Sequence, residues 1–378
     1  MTTRTATGSG VAPEDQPGIQ PGGRRRRNTT GRPRSRDRAR PGRRMVWVPG
    51  GTFAMGSDDF YPEERPVRTV EVDGFWMDEH PVTVSEYRRF VRATGYVTVA
   101  ERELGAGRSP GAEYRPATPG SLVFHPTPGP VDLSDCRNWW SYVPGACWLR
   151  PEGPGSSPHG RERHPVTHVA YEDAEAYATW SGKQLPTESE WEYAARGGLD
   201  GAVYAWGNDF SPHGRLMANV WQGDFPWRHA GLGPLERTSP IGRFPVNGYG
   251  LLDITGNVWE WTSDVYRAPE PDRAASAVCV PLAVSLAGPL DRRAPLPRQR
   301  TAADTEAGTE TGTEAGTDAE AATVTDAEDG NRVVRVIKGG SYLCSATFCL
   351  RYRPAARQPS DSATTACHVG FRCVVHPR

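Results

Sequence analysis

Lys338-Gly-Gly-Ser-Tyr-Leu-Cys344-Ser-Ala-Thr-Phe-Cys349-Leu-Arg-Tyr-Arg353 carries two of the chain's seven cysteines, five positions apart. A glycine pair precedes them and an arginine-rich aromatic run follows. In a straight strand, five residues separate the two sulfurs by roughly 16 Å, at about 3.3 Å per residue. On a helix, five steps of about 100° put them on different faces. The thiols meet only if the chain bends between them. Together they form a redox dithiol or a two-sulfur metal clamp; apart, they are two buried, hydrophobe-like cysteines. The bare C-x4-C spacing leaves both readings open.

Outward from this stretch, the composition is uneven. The chain has 378 residues, enough for two average domains or one large domain with appendages. Hydrophobic content of 37% and a mean hydropathy of −0.60 are low for a compact enzyme. A net charge of −1 argues against a nucleic-acid protein. No apolar run approaches the roughly 18 residues that a membrane span needs. Twelve Trp and 42 Gly point to a loop-rich fold pinned by large aromatics.

Two segments account for the polar excess. Residues 1–44 hold twelve Arg against Glu14, Asp15 and Asp37, with almost no large apolar residue. Such a segment cannot bury enough surface to offset its ordering entropy, so it is expected to be a disordered tail. Arg24–Arg27 would suit twin-arginine export, but no apolar stretch follows, so export is rejected and a cytoplasmic location is expected. The second segment runs from about 267 to 331. It begins Pro- and Ala-rich, then passes into Thr301–Gly330, with nine acidic residues, no basic one and a ragged Thr-Glu-Ala-Gly repeat. Its composition is that of a disordered loop. One domain is therefore expected over 45–378, interrupted by that long insertion.

Within the domain the local signals are clear. Met45–Gly56 reads as two short strands around Pro49-Gly50-Gly51. Thr83–Ala93 reads as a helix, with Thr83 and Glu86 at capping-box spacing, Tyr87, Phe90 and Val91 as apolar face and Gly95 as stop. A second helix fits Tyr171–Trp180, with Ala174, Tyr177, Ala178 and Trp180 as core positions. A third fits Glu188–Arg196, with Thr187 and Glu190 as capping box and Gly197 as stop. Short helices among many Gly, Pro and Asn turns make this α+β with little regular secondary structure.

Such a fold needs other supports. The cysteines (136, 147, 279, 344, 349, 367, 373) are odd in number and do not read as a disulfide framework. Asn219-Val-Trp-Gln-Gly-Asp224 and Asp253-Ile-Thr-Gly-Asn-Val-Trp-Glu260 cluster oxygen ligands in glycine-containing loops. That suits Ca²⁺, but neither stretch matches an EF-hand loop, and spacing alone favours turn-stabilising Asx residues over a metal site.

Six stretches together carry a resemblance: His164-Pro-Val-Thr-His-Val169, Gly182-Lys-Gln-Leu-Pro-Thr-Glu-Ser-Glu-Trp-Glu-Tyr-Ala194, Asn247-Gly-Tyr-Gly-Leu-Leu-Asp253, Gly256-Asn-Val-Trp-Glu-Trp-Thr-Ser-Asp264, Lys338-Gly-Gly-Ser341 and Gly370-Phe-Arg-Cys373. They resemble the formylglycine-generating enzyme (sulfatase-modifying factor) family over nearly all of 45–266 and 333–375. The resemblance implies a C-type-lectin-like α+β fold. Iron-dependent sulfoxide synthases and inactive relatives share the Gly256-Asn-Val-Trp-Glu-Trp261 and Gly370-Phe-Arg372 signatures without the thiol pair. Cys344 and Cys349 match the pair of the true formylglycine-generating enzymes.

What the resemblance implies is an oxidase acting on sulfatase polypeptides. With O₂, the cysteine of a Cys-x-Pro-x-Arg sequence becomes Cα-formylglycine. Cys344 and Cys349 would be Cu(I) ligands, in keeping with the preference of soft thiolates for that ion. Cys349 would be the one able to form a mixed disulfide with substrate. Ser341, as a hydrogen bonder, and Trp259, as a wall, match positions beside the reacting groups. One calcium site would use Asp253, Gly256, Val258 and Glu260. A second would use Asn219 and the Val220 carbonyl, but its acidic position is Gly233 and its following aromatic position is Leu235, so weak binding or none is expected unless Asp224 substitutes. Ser345 stands where the family often has His, and Phe348 where Tyr is usual. The expected partner is a sulfatase polypeptide, with no nucleic acid or membrane, and the expected state is a monomer.

Two other classes compete with this reading: a non-catalytic lectin-like binding module, and a copper-free dithiol oxidoreductase on the same fold. Aldehyde formation on a Cys-x-Pro-x-Arg peptide, dependent on air and copper, separates all three.

Overall fold

The computed structural model describes residues 41, 44–103, 118–230, 237–268 and 333–377. The expectations for the Arg-rich tail, for Gly233 and Leu235, for Cys279 and for nearly all of the insertion lie outside them. In chain order the strands are β1 (Met45–Val48), β2 (Gly51–Met55), β3 (Arg68–Val72), β4 (Phe75–Asp78), β5 (Gly120–Phe124), β6 (Trp140–Pro144), β7 (Gly223–Asp224), β8 (Arg228–His229), β9 (Trp259–Val265), β10 (Val334–Lys338), β11 (Arg357–Asp361), β12 (Val369–Gly370) and β13 (Val374–Val375). The α-helices are α1 (Val84–Thr94), α2 (Tyr171–Trp180) and α3 (Glu188–Arg196). Three short helices and many short strands give an α+β architecture with little regular structure.

The helices form where their caps are encoded. Thr83 Oγ1 accepts from Glu86 N at 3.3 Å, Glu86 Oε2 accepts from Thr83 N at 2.9 Å, and Gly95 closes α1 in the left-handed region at φ 68°. Thr187 and Glu190 repeat the device on α3, which ends at Gly197 with φ 59°. Asp173 accepts from Ala170 N at 2.8 Å and starts α2. Each reciprocal cap satisfies amide donors that have no partner inside the helix. Trp180 departs from the core role expected of it: it is 44% exposed and packs at a tilt against Phe90 and Tyr177, at the solvent rim of α2.

β1 and β2 flank the Pro-Gly-Gly turn as the sequence indicates, but they join different sheets. β1 pairs with β4, which also pairs with β13, all antiparallel. β2 pairs with β3. The sheet that carries the site has the order β11-β10-β9-β12, with β12 parallel to β9 and the other pairs antiparallel. β5–β6 and β7–β8 are separate two-stranded sheets.

Helix α3 lies against β10 and β9, and charged side chains bind it there. Lys338 at the end of β10 is wholly buried; its Nζ donates to Glu192 Oε2 at 2.9 Å and to the Ala355 carbonyl at 3.3 Å. Glu192 also accepts from Arg196 Nη2 at 2.7 Å, and these cations together hold its carboxyl below the usual range despite burial. Glu260 on β9 accepts from Trp191 Nε1 of α3 at 2.7 Å. Buried charges of this kind persist because every one is paired and hydrogen-bonded. Their effect is to fix the end of β10, from which the cysteine-bearing stretch departs.

Candidate thiol site

The stretch after Lys338 is built as a clasped loop. Gly340 sits at φ 69°, and a Cβ there would lie 2.9 Å from the Arg351 carbonyl group and the Tyr352 Cα. Only glycine lets the two backbones approach so closely. Between them the chain makes two successive turns. Cys344 N donates to Ser341 O at 2.9 Å, and Cys349 N donates to Ser345 O at 2.9 Å. Thr347 N donates to Ser345 Oγ at 3.1 Å, within the second turn. This is the bend that spacing alone could not supply. It brings the sulfurs of Cys344 and Cys349 to 3.3 Å, well beyond the bond length of about 2.05 Å for a disulfide between them.

Both cysteines are completely buried. Burial pushes the Cys344 thiol up to about 11, against the pull of the Ser341 amide, which donates to Cys344 Sγ at 3.3 Å, and of Arg351. Ser341 is itself buried, and its Oγ accepts from Leu343 N at 3.2 Å. Trp259 is fully buried in the same hydrophobic cluster as both cysteines, its main-chain N–H bonded to His368 O at 2.9 Å. Its indole Nε1 is buried with no hydrogen-bond partner among the described residues.

The two loops suspected of binding calcium are tied directly to the thiol stretch. Gly256 N donates to Gly339 O at 2.8 Å, Tyr342 N to Asn257 O at 3.1 Å, and Trp221 N to Cys344 O at 2.8 Å. Asn257 N donates in turn to Asn219 O at 2.8 Å, which joins the loops to each other. Asp253 adopts φ 48° and is 5% exposed. Its Oδ2 accepts from Gly242 N at 2.8 Å, whereas its Oδ1 is buried without a partner among the described residues. Burial pushes its carboxyl up to about 6. A bound hard cation would satisfy that oxygen and favour the ionised form. Glu260 offers less, because Arg372 and Trp191 already occupy both its oxygens. Asp253 is thus the residue of this set whose chemistry best fits Ca²⁺.

The second loop fits calcium less well. Asn219 Nδ2 donates to Arg237 O at 3.0 Å, and the Val220 carbonyl lies 3.4 Å from Gln222 Nε2. Asp224, the one nearby substitute for a missing acid, is half-exposed and paired with Arg228. Among the described residues, no group of three or more His, Cys, Asp or Glu side chains comes together to hold a metal.

Sequence reasoning missed part of the site's surroundings. Phe348 stacks on Phe225 at 4.4 Å and an interplanar angle of 7°, and Trp139 meets it edge-on at 5.5 Å. Tyr61 Oη accepts from Leu350 N at 3.0 Å, and Arg351 lies 3.8 Å over the Tyr61 ring while binding Glu63 at 2.6 Å. Arg353 pairs with Glu64 in the same way. One signal was available: the acidic pair Glu63-Glu64 complements Arg351 and Arg353, although nearly 290 residues separate them.

The fold and the site together define a protein with a buried thiol pair on a largely irregular α+β scaffold. The profile of the sulfatase-modifying factor enzyme 1-like domain matches residues 31–377. The formylglycine-generating enzyme of Mycobacterium tuberculosis is 47% identical over 88% of this chain and 98% of its own length. An inactive Cα-formylglycine-generating enzyme 2 of mouse is 42% identical over 60% of this chain and 71% of its own length. Among solved structures, PvdO of Pseudomonas aeruginosa is similar with a TM-score of 0.46 and 21% identity, covering 87% of this chain and 93% of that one. The chain belongs to the sulfatase-modifying factor, or formylglycine-generating enzyme, family.

Proposed function

We propose that this protein is a formylglycine-generating oxidoreductase that activates sulfatases, converting the cysteine of a Cys-x-Pro-x-Arg sequence to Cα-formylglycine with O₂ as oxidant. The observation that carries this reading is the pair of buried sulfurs 3.3 Å apart in a chain so similar to named formylglycine-generating enzymes. The same pair argues against an inactive, purely binding role.

Cys344 and Cys349 are the residues that would hold Cu(I), which their soft sulfurs select among first-row metals. Copper, when bound, supplies the one-electron chemistry that O₂ needs and that no amino-acid side chain here supplies. The chain's own residues do the rest. Cys344 would give up its proton on binding the ion, since the ligand form is the thiolate. The Ser341 main-chain N–H stabilises that thiolate. Phe348, packed on the buried rings of Phe225 and Trp139, would be the aromatic side chain next to Cys349 that meets the substrate, and Trp259 belongs to the buried hydrophobic cluster that holds both sulfurs. Asp253 is the principal side chain for a Ca²⁺ that would fasten the loops under the thiol turn; Asn219 and Val220 would contribute to a second, weaker site.

The test is an air-exposed reaction of the copper-loaded chain with a Cys-x-Pro-x-Arg peptide, with hydrazide capture of the product. Aldehyde is expected under air and not under nitrogen, and none with Cys349→Ala. Aldehyde formation retained in that variant would sink the assignment. Activity without copper, with disulfide exchange on unrelated substrates, would point to a dithiol oxidoreductase instead.

A further inference from the structure

A cleft of about 400 Å³, counted out to its open mouth, lies apart from the thiol pair. Tyr342 and Cys367 line it, whereas Ser341, Cys344 and Cys349 do not. Part of its wall is apolar, made by Val84, Trp148, Pro151 and Pro158. The acidic and basic side chains on the rest are Glu152, Arg161, Arg237 and two histidines. Apolar walls with a few convergent polar groups are the usual make-up of a small-molecule site.

The charges in this cleft do not balance. Arg161 Nη1 donates to Glu152 Oε1 at 2.6 Å, and Arg237 Nη1 donates to the same oxygen at 2.7 Å. Two guanidiniums on one carboxylate leave an excess of one positive charge among the described residues that line the cleft. His164 adds none at neutral pH, because burial lowers its imidazole below the usual value.

A second observation lies deeper. His168 lines the cleft and is completely buried. Its Nδ1 is 2.7 Å from Ser121 Oγ on β5, outside the cleft. Its other ring nitrogen, Nε2, is buried with no hydrogen-bond partner among the described residues. Burial keeps the ring neutral, so with the Ser121 hydroxyl donating to Nδ1, Nε2 carries the proton. The Pro151 carbonyl favours a proton on the ring but makes no hydrogen bond to Nε2. A buried donor without an acceptor is costly. The backbone adds to that cost, since His168 stands at φ 61°, in the left-handed region that non-glycine residues seldom adopt.

We propose that this cleft binds a small carboxylate with an apolar body. Its charged end lies between Arg161 and Arg237 and gives His168 Nε2 an acceptor; its body packs on Trp148 and Val84. A second carboxylate beside Glu152 brings the charged set to neutrality. An uncharged ligand would leave the excess charge in place, and a bare inorganic anion would leave the apolar wall wet. The site does not depend on formylglycine chemistry. Its wall nevertheless reaches the thiol segment, because Tyr342, whose hydroxyl lies 3.3 Å from Cys367 Sγ, stands two residues before Cys344.

Benzoate is a suitable probe, with benzamide as its uncharged counterpart and acetate as the charge without the ring. Each is titrated into the full-length chain by calorimetry, with no copper and no peptide substrate. Saturable one-to-one binding of benzoate is expected, about tenfold or more tighter than either control, as a charged hydrogen bond and a buried ring each require. Arg237→Gln alters a side chain at the open end of the cleft and should weaken benzoate about tenfold or more. Glu152→Gln removes the resident carboxylate and should tighten it, a change of opposite sign that a damaged fold would not produce. Benzoate binding that fails to saturate, or that benzamide or acetate equals, overturns the proposal. Wild-type affinity in Arg237→Gln, or weaker binding in Glu152→Gln, overturns it as well.

Discussion

Arg372 grips both carboxylate oxygens of Glu260, Nε to Oε2 at 2.7 Å and Nη2 to Oε1 at 2.8 Å, with both side chains buried. The same guanidinium donates to the carbonyls of Leu252 and Asp253. One arginine thereby joins β9 to the loop beneath the thiol turn. Arg372→Ala leaves Glu260 charged and buried without its partner, and about 3–5 kcal/mol of stability should be lost. Arg372→Lys should recover little, since a single ammonium cannot reproduce the two-pronged geometry. Urea unfolding followed by tryptophan fluorescence measures both; near-wild-type stability in Arg372→Lys would refute the geometric argument.

Cys344 provides a test that needs no substrate. Its thiol, held up near 11 by burial, is neutral at pH 7.5. Binding of Cu(I) should therefore release protons, detectable with a pH indicator in weak buffer. Cys344→Ala should bind the ion more weakly and release fewer protons. Equal release from both proteins would remove Cys344 from the metal site.

Calcium can be judged by unfolding temperature. A chelator should lower the Tm of the wild-type chain, and Asp253→Ala should abolish that sensitivity, because its Oδ1 is a buried acceptor left without a partner among the described residues. A wild-type Tm indifferent to chelator and to added Ca²⁺ would show that the loops stand by hydrogen bonds alone.

Asp173 should shape the acid side of the stability profile. Burial raises its carboxyl to about 6 from 3.8, although Ala170 N, Val99 N and Tyr96 Oη all donate to it. A raised acid binds its proton more tightly when folded than when unfolded. Between about pH 6 and pH 4 the folded state therefore holds more protons, and this group's contribution to stability grows as pH falls through that window. Relative to wild type, Asp173→Asn should lose stability less steeply as pH rises from 4.5 to 6.5. Parallel pH profiles would show that Asp173 does not titrate there.

Much of this was legible locally. The capping boxes at Thr83 and Thr187, the glycine stops and the limits of α2 and α3 depend on residues within a turn of one another, and there the sequence could be read directly. Trp180 was misread because helical periodicity marks a face without saying how far along the helix the cover extends. The partners of β1 and β2 were not legible, since register is decided by strands far away in sequence. At the site, the cysteine spacing became informative only within the family's motifs. The Phe225–Phe348 stack and the Arg351–Glu63 pair arise from segments that no local rule connects. The engagement of Glu260 by Arg372 was likewise hidden, and it alters how much that carboxylate can give to a cation.

The meeting of Gly340 with Arg351 and Tyr352 makes the thiol segment a closed ring in all but covalent bonding. Its ends lie main chain against main chain, and the two turns inside are held by their own amides. The sulfur spacing is consequently a property of the clamp and of the chain length between its jaws, not of the residues displayed on the outer arc. Ala346, exposed on that arc, can vary in identity while the chain keeps its grip; Thr347 beside it is tied through its hydroxyl to Ser345. The segment behaves as a cartridge: its rim can change without retuning the pair of sulfurs at its centre.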